Sequence, residues 1–203
     1  MNDVFHYKPH YKQHAFHHAV ETHKVTLFNA GRGTGKTMAG VTQSLIFAYR
    51  HISKGLIVAP TYDMLQDIII PMLYDIVPNE MARGYRKQSK KLELSNGSII
   101  TLRSGDDPNR LRGANRDWAW LDEARNYKDD EVYKVVLASL RGGVLDKLWI
   151  TTTPAGLHHW LYKRLVEARD ANTAFVSAST KDNPYIPHDF YEFLKTQYTG
   201  IYA

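Results

Sequence analysis

A short apolar strand that runs straight into a glycine-rich turn ending in Lys-Thr, and from there into a helix, constrains a chain more than its composition does. Lys24–Ala30 (KVTLFNA) is such a run, residues 30–37 read Ala-Gly-Arg-Gly-Thr-Gly-Lys-Thr, and apolar helical periodicity follows from Thr37 to about Tyr49. Glycines in such a turn let consecutive backbone N–H groups curl around phosphate oxygens. A lysine then reaches the β- and γ-phosphates, and a hydroxyl at the helix start binds Mg²⁺. Gly31, Gly33, Thr34 and Gly35 make the loop, Lys36 is the cation and Thr37 the hydroxyl. Ala30 stands where the consensus has its first glycine, a difference of one methyl group. The expected ligands are ATP and Mg²⁺; the competing reading is a glycine-rich turn with an incidental lysine.

A phosphate loop of this kind predicts a second strand that ends in an acid. Trp118–Glu123 (WAWLDE) supplies it, with Asp122 facing the metal. Glu123 can polarise a water for in-line attack on the γ-phosphate, a role that hydrolysing ATPases need and small-molecule kinases do not. The two tryptophans are bulkier than the aliphatic side chains usual on such a strand.

Further apolar runs place more strands at Gly55–Thr61, Lys147–Thr153 and Phe175–Ala178, and helices at about 62–76, 129–140, 158–171 and 188–198. Lys91–Leu94 and Ser98–Leu102 flank Asn96-Gly97, a hairpin signal because both residues tolerate positive φ. Continuous apolar strands alternating with helices mean an α/β fold, with a mainly parallel central sheet covered on both faces. Asp182-Asn183-Pro184 marks a boundary between a core over 1–180 and a small helical lid or linker piece over 181–203. The 203 residues, 43% of them hydrophobic, suffice for a sizeable core, and the absence of cysteine excludes disulfides and thiolate metal sites. No apolar run approaches a membrane span and the first residues lack a secretory h-region, so a soluble protein is expected. A net charge of +5 favours a polyanionic partner.

Taken in order, Gln13 before a strand, GRGTGKT, APTY, RGANRDWAWLDEA, TTTP and DNP resemble the ATPase domain of phage large terminases, from about residue 8 to 200. These are RecA-like P-loop NTPases of the ASCE class that pump double-stranded DNA into procapsids. The resemblance implies partners: double-stranded DNA, a portal protein, a small terminase subunit, and further copies of the chain in a ring, a pentamer when assembled. It also implies a place in the host cytoplasm, docked transiently at the portal. Terminases continue into an RNase H-like nuclease domain, and a chain ending at Ala203 looks like a motor domain cut near that linker.

Position by position, the resemblance puts Gln13 in the adenine-recognition segment, where an amide offers a donor and an acceptor together; the alternative is an exposed glutamine at a helix start. Arg32 would touch the γ-phosphate of its own subunit. Arg112 matches a finger that reaches a neighbour's site, against a structural ion pair or DNA contact. If the run from Arg112 to Glu123 is extended it spans about 30 Å, which would set the arginine at the far end of the strand from its own site. Thr151, Thr152 and Thr153 occupy the coupling motif, against plain β-propensity.

Arg83, Arg86, Lys87, Lys90 and Lys91 form a cluster without an acid that suits either phosphate contact or a solvated loop. His10, His14 and His17 can share a helical face, but no third-ligand spacing accompanies them, so a polar face is expected rather than zinc. Three other functions compete. A two-core helicase carries a similar glutamine and DE pair, yet Asp122-Glu123 continues as Ala124-Arg125 and no second core follows. A nucleotide kinase is opposed by Glu123 and by the lack of an arginine-rich lid. A non-hydrolysing P-loop protein is opposed by intact Lys36, Thr37, Asp122 and Glu123.

Overall fold

The strands alternate their side chains between two helical layers, and that alternation explains the buried residues one by one. The structure, a computed structural model, describes residues 7–187 apart from 79 and 144, together with 189, 192, 193 and 196. Strands β1 (Val25–Ala30), β2 (Lys54–Ala59), β5 (Ile99–Ser104), β6 (Trp118–Leu121), β7 (Lys147–Thr152) and β8 (Thr173–Ala178) run parallel. At one edge β4 (Lys91–Leu94) runs antiparallel to β5, and β3 (Ala82–Arg86) runs antiparallel to β4. The order across the eight-stranded sheet is β3-β4-β5-β2-β6-β7-β1-β8. The fold is α/β, and the phosphate loop leaves β1 at the edge where the parallel strands end.

Phe28, Ile57, Trp118, Trp120 and Trp149 point to one face, under helices α1 (Tyr11–Thr22) and α2 (Lys36–Arg50) and the helical stretch 62–76. Leu27, Leu56, Val58, Ala119, Leu121, Leu148 and Ile150 point to the other, under the helix Glu131–Ser139 and the stretch 160–167. β1, β2, β6 and β7 thus give alternate residues to two cores, which is why they read as continuous apolar runs.

The bulky tryptophans fit because glycines face them. A Cβ built on Gly40 of α2 would fall within the Trp120 indole, and one on Gly55 of β2 within that of Trp118. Trp118 stacks on Trp149 at 5.2 Å between ring centroids and donates its Nε1–H to Ser53 Oγ at 3.0 Å.

Two elements escaped the sequence pattern. α1 buries only Gln13, Phe16, Ala19 and Val20, too narrow a stripe to register as apolar periodicity. β3 overlaps the basic stretch read as DNA contact or loop, and it is an edge strand, where a charge such as Arg86 discourages pairing with another chain. The helix expected over 158–171 is shorter: an α turn at Trp160–Tyr162 opens into a π turn at Lys163–Glu167 and stops at Ala168. The helix expected over 188–198 lies mostly outside the described residues. Among the described residues no helix is long and apolar enough to cross a membrane.

Candidate active site

The loop after β1 turns on two glycines in the left-handed region, Gly33 at φ 74° and Gly35 at φ 76°. Gly35 is the N-cap of α2 and offers no side-chain cap, so the first N–H groups of a 15-residue helix stay available to an anion. Thr34 does not face the ligand side with its hydroxyl; it donates to Gly31 O at 2.8 Å and tightens the loop. Lys36 and Thr37 open the helix. Lys36 is buried and its Nζ lies 3.7 Å from Glu123 Oε2.

Glu123 arrives there by an unusual backbone. It sits at φ 42°, ψ 49°, left-handed for a residue with a Cβ, which turns the chain at the end of β6. Such a conformation costs of order 1–3 kcal/mol and persists only where the surroundings hold it. Here Lys36 holds one carboxylate oxygen, while the Thr153 hydroxyl donates to the other. Asp122, one residue earlier, is buried beneath the loop. Burial pushes its carboxyl up to about 6; the Thr151 hydroxyl, donating to Oδ1 at 2.6 Å, and Lys36 draw it partly back, and Glu123 adds repulsion. A buried carboxylate with a raised pKa, near Lys36 at the start of the helix that also carries the Thr37 hydroxyl, is a hard-oxygen donor short of positive charge. That suits Mg²⁺.

The three threonines at the end of β7 wire this edge together. Thr151 accepts from Trp120 Nε1 at 2.7 Å and passes its own proton toward Asp122. Thr152 accepts the Arg125 backbone N–H at 3.0 Å. Thr153 accepts from Arg125 Nη1 at 3.1 Å and donates to Glu123. β-Propensity alone does not account for three hydroxyls that each join β7 to the segment following β6. Arg125 also donates to Pro154 O at 3.2 Å, and its carbonyl accepts from His159 Nε2 at 3.2 Å. Sequence reasoning passed over Arg125, although its place two residues after Glu123 was a usable signal.

Gln13 is brought against the loop, but its amide is already engaged. Oε1 accepts from the His10 N–H at 3.1 Å, and Nε2 donates to Gly35 O at 2.9 Å. It is buried at 4% exposure, which corrects the alternative of an exposed helix-start glutamine. Arg32 stands exposed on the loop. The histidines do not share one polar face: His10 caps α1, and His17 turns inward between Tyr7 OH and Gln43 Oε1.

Arg112 departs from the extended geometry expected for it. β6 covers only Trp118–Leu121, and the chain before it lies alongside the helix Glu131–Ser139. Arg112 is exposed, 3.5 Å from Glu131 and hydrogen-bonded through Nε to Asn109 at 3.1 Å. In the basic cluster Arg86 pairs with Glu93 at 3.0 Å and Lys90 sits 3.8 Å above the Tyr62 ring. Lys87 is exposed and Lys91 half-buried, while the Arg83 side chain lies outside the described residues.

Comparison with known proteins extends this picture. The large terminase subunit of Thermus phage G20c is 29% identical over 181 residues, covering 77% of this chain, and that of Thermus virus P23-45 aligns equally. The chain spans 36% of the length of those curated relatives. The large terminase of a thermophilic bacteriophage superposes with a TM-score of 0.84 at 16% identity, over 97% of this chain and 52% of that one. The large terminase ATPase domain of Thermus phage P74-26 superposes with a TM-score of 0.69 at 24% identity, over 94% of each chain. At those identities the superpositions establish a shared fold. Residues 22–199, from the end of α1 through both acids and the threonine tip, match the family described as the phage terminase large subunit, and the chain belongs to that family.

Proposed function

We propose that this chain is the ATP-hydrolysing motor domain of a large terminase and that it drives double-stranded DNA into a procapsid. The observation that carries the reading is the convergence of Lys36, Glu123 and Thr153 beside an uncapped helix N-terminus. The large terminase of the thermophilic bacteriophage, whose fold this chain shares, is known in complex with ADP and with ATP-γ-S, which supports an adenine nucleotide as the ligand of this chain.

In this reading the loop amides and Lys36 hold the β- and γ-phosphates, and Thr37 and Asp122 hold Mg²⁺, which neutralises phosphate charge when bound. Glu123 orients the attacking water and takes up its proton. Arg32 assists from within the subunit, Arg112 from a neighbour, and Gln13 ties the adenine side to Gly35. Thr151, Thr152 and Thr153 report the state of the acids to β7. Residues 181–203 act as a lid or linker beyond a core over 1–180. The cations of the β3–β4 edge, Arg83, Arg86, Lys87, Lys90 and Lys91, contact DNA phosphates without reading sequence. A portal protein, a small terminase subunit and a homomeric ring complete the assembly, in the cytoplasm of the infected host.

Separating binding from cleavage tests the core of this. Lys36→Ala is expected to lose nucleotide affinity. Glu123→Ala is expected to keep ATP with Mg²⁺ bound while phosphate release falls by a factor of about 10² or more. Equal turnover by the wild type and Glu123→Ala removes Glu123 from the chemistry.

A further inference from the structure

Four consecutive carbonyls of the phosphate loop are each capped by a side chain from outside it. Arg32 O accepts from Thr180 Oγ1 at 2.9 Å, and Gly33 O from Asn183 Nδ2 at 2.7 Å. Thr34 O accepts from His10 Nε2 at 2.9 Å, and Gly35 O from Gln13 Nε2 at 2.9 Å. Two caps come from the N-terminus of α1 and two from the turn that follows β8, about 150 residues away in sequence.

The glycines of the loop make room for these caps. Gly31 has no positive φ to explain it, yet a Cβ there would stand 3.1 Å from Thr180 Oγ1. At Gly35 a Cβ would stand 2.6 Å from Gln13 Nε2. A peptide plane whose carbonyl is pinned outward presents its N–H on the opposite side, toward the space a phosphate would fill. The turn itself is anchored. Ser179 and Asp182 close a capping box, Tyr11 OH donates to Asp182, and Gly31 N–H donates to Ala178 O at 3.0 Å.

We propose that Thr180 and Asn183 are positioning residues for phosphate binding, which together with His10 and Gln13 hold the loop in its anion-binding shape before nucleotide arrives. The proposal rests on the reading that nucleotide binds this loop. It makes the turn after β8 part of the site, so that a displacement of the chain beyond residue 183 reaches the phosphates through two carbonyls.

The test uses the whole 203-residue chain carrying Thr180→Val and Asn183→Leu, which remove both donors at nearly constant shape. Each lost cap is expected to weaken binding of ADP and of inorganic pyrophosphate about fivefold, while the ATP-to-GTP affinity ratio stays unchanged. Thr180→Ser, which keeps the donor, should retain wild-type affinity. Hydrogen exchange of the loop amides, measured without nucleotide, should quicken in the double variant while α2 and β1 keep their protection. Wild-type protein that binds no nucleotide would sink the ATPase reading, and the exchange measurement would still decide the role of the caps. Unchanged pyrophosphate affinity with unchanged loop exchange overturns the proposal.

Discussion

Asp122 carries its charge at a cost the fold does not recover by itself. The carboxyl rises to about 6 from an ordinary 3.8, chiefly through burial. Between those values the folded protein keeps a proton that the unfolded chain releases. Its contribution to stability is therefore full below pH 3.8 and is lost as pH rises through 6. Asp122→Asn keeps an oxygen for the Thr151 hydroxyl and removes the charge. In the nucleotide-free protein it should stabilise the fold by about 1–3 kcal/mol at pH 7.5, with the gain vanishing near pH 4. The buried His17, lowered to about 4, titrates in the same window with the opposite effect, since stability is lost as pH falls from 6.5 toward 4. It is common to both proteins and cancels in the difference. Urea denaturation of each across that range checks the claim; a gain of equal size at both ends would mean that charge burial is not its source. Little of this was visible beforehand. The acids and threonines stand in the sequence as types at a spacing, but the left-handed Glu123 and the hydroxyl chain through Thr151 and Thr153 arise only once β6 and β7 lie side by side.

At the scale of elements, the packing of α2 on β6 and β7 hangs on an absent side chain. Gly40 is an interior helix position, where alanine ordinarily adds about 1 kcal/mol of helix stability. Here the added Cβ meets the Trp120 indole, and overpacking of a close-packed core costs about 1–3 kcal/mol. The clash should win, so Gly40→Ala lowers stability, and it disturbs the Trp120–Thr151–Asp122 chain as well. Adding Trp120→Leu should recover part of the lost stability by clearing the space. If Gly40→Ala melts higher than the wild type, the helix preference for alanine outweighs the crowding against Trp120. β1, β2, β6 and β7 were legible because they are buried on both faces and read as unbroken apolar runs. α1 and β3 were not, since one shows the core a four-residue stripe and the other is an edge strand written in charges. The caps at Thr180 and Asn183 had no local signal at all: DNP reads as a boundary until β8 returns it to the loop.

For the molecule as a whole, the question is whether one chain holds a complete site. Lys36, Asp122, Glu123 and Thr153 assemble within it, yet Arg112 is held in an exposed pair with Glu131. Such a pair is worth at most about 1 kcal/mol and is easily exchanged for a better anion. Pro108–Leu111 leads out of β5 at the edge where the parallel strands end and packs against the helix Glu131–Ser139, so Arg112 is a surface group on a rigid support. If it serves a neighbouring subunit, where phosphoryl charge builds during cleavage, an arginine supplied this way contributes about 10³–10⁵ in rate in GTPases activated in trans. Turnover per subunit should then rise with protein concentration. Arg112→Ala and Glu123→Ala proteins, each inactive alone, should regain turnover when mixed at assembling concentrations, since an intact arginine can meet an intact glutamate across an interface. Glu131→Gln, which frees Arg112 without touching either acid, should leave that recovery in place. A flat concentration dependence with no recovery on mixing would return Arg112 to its pair with Glu131.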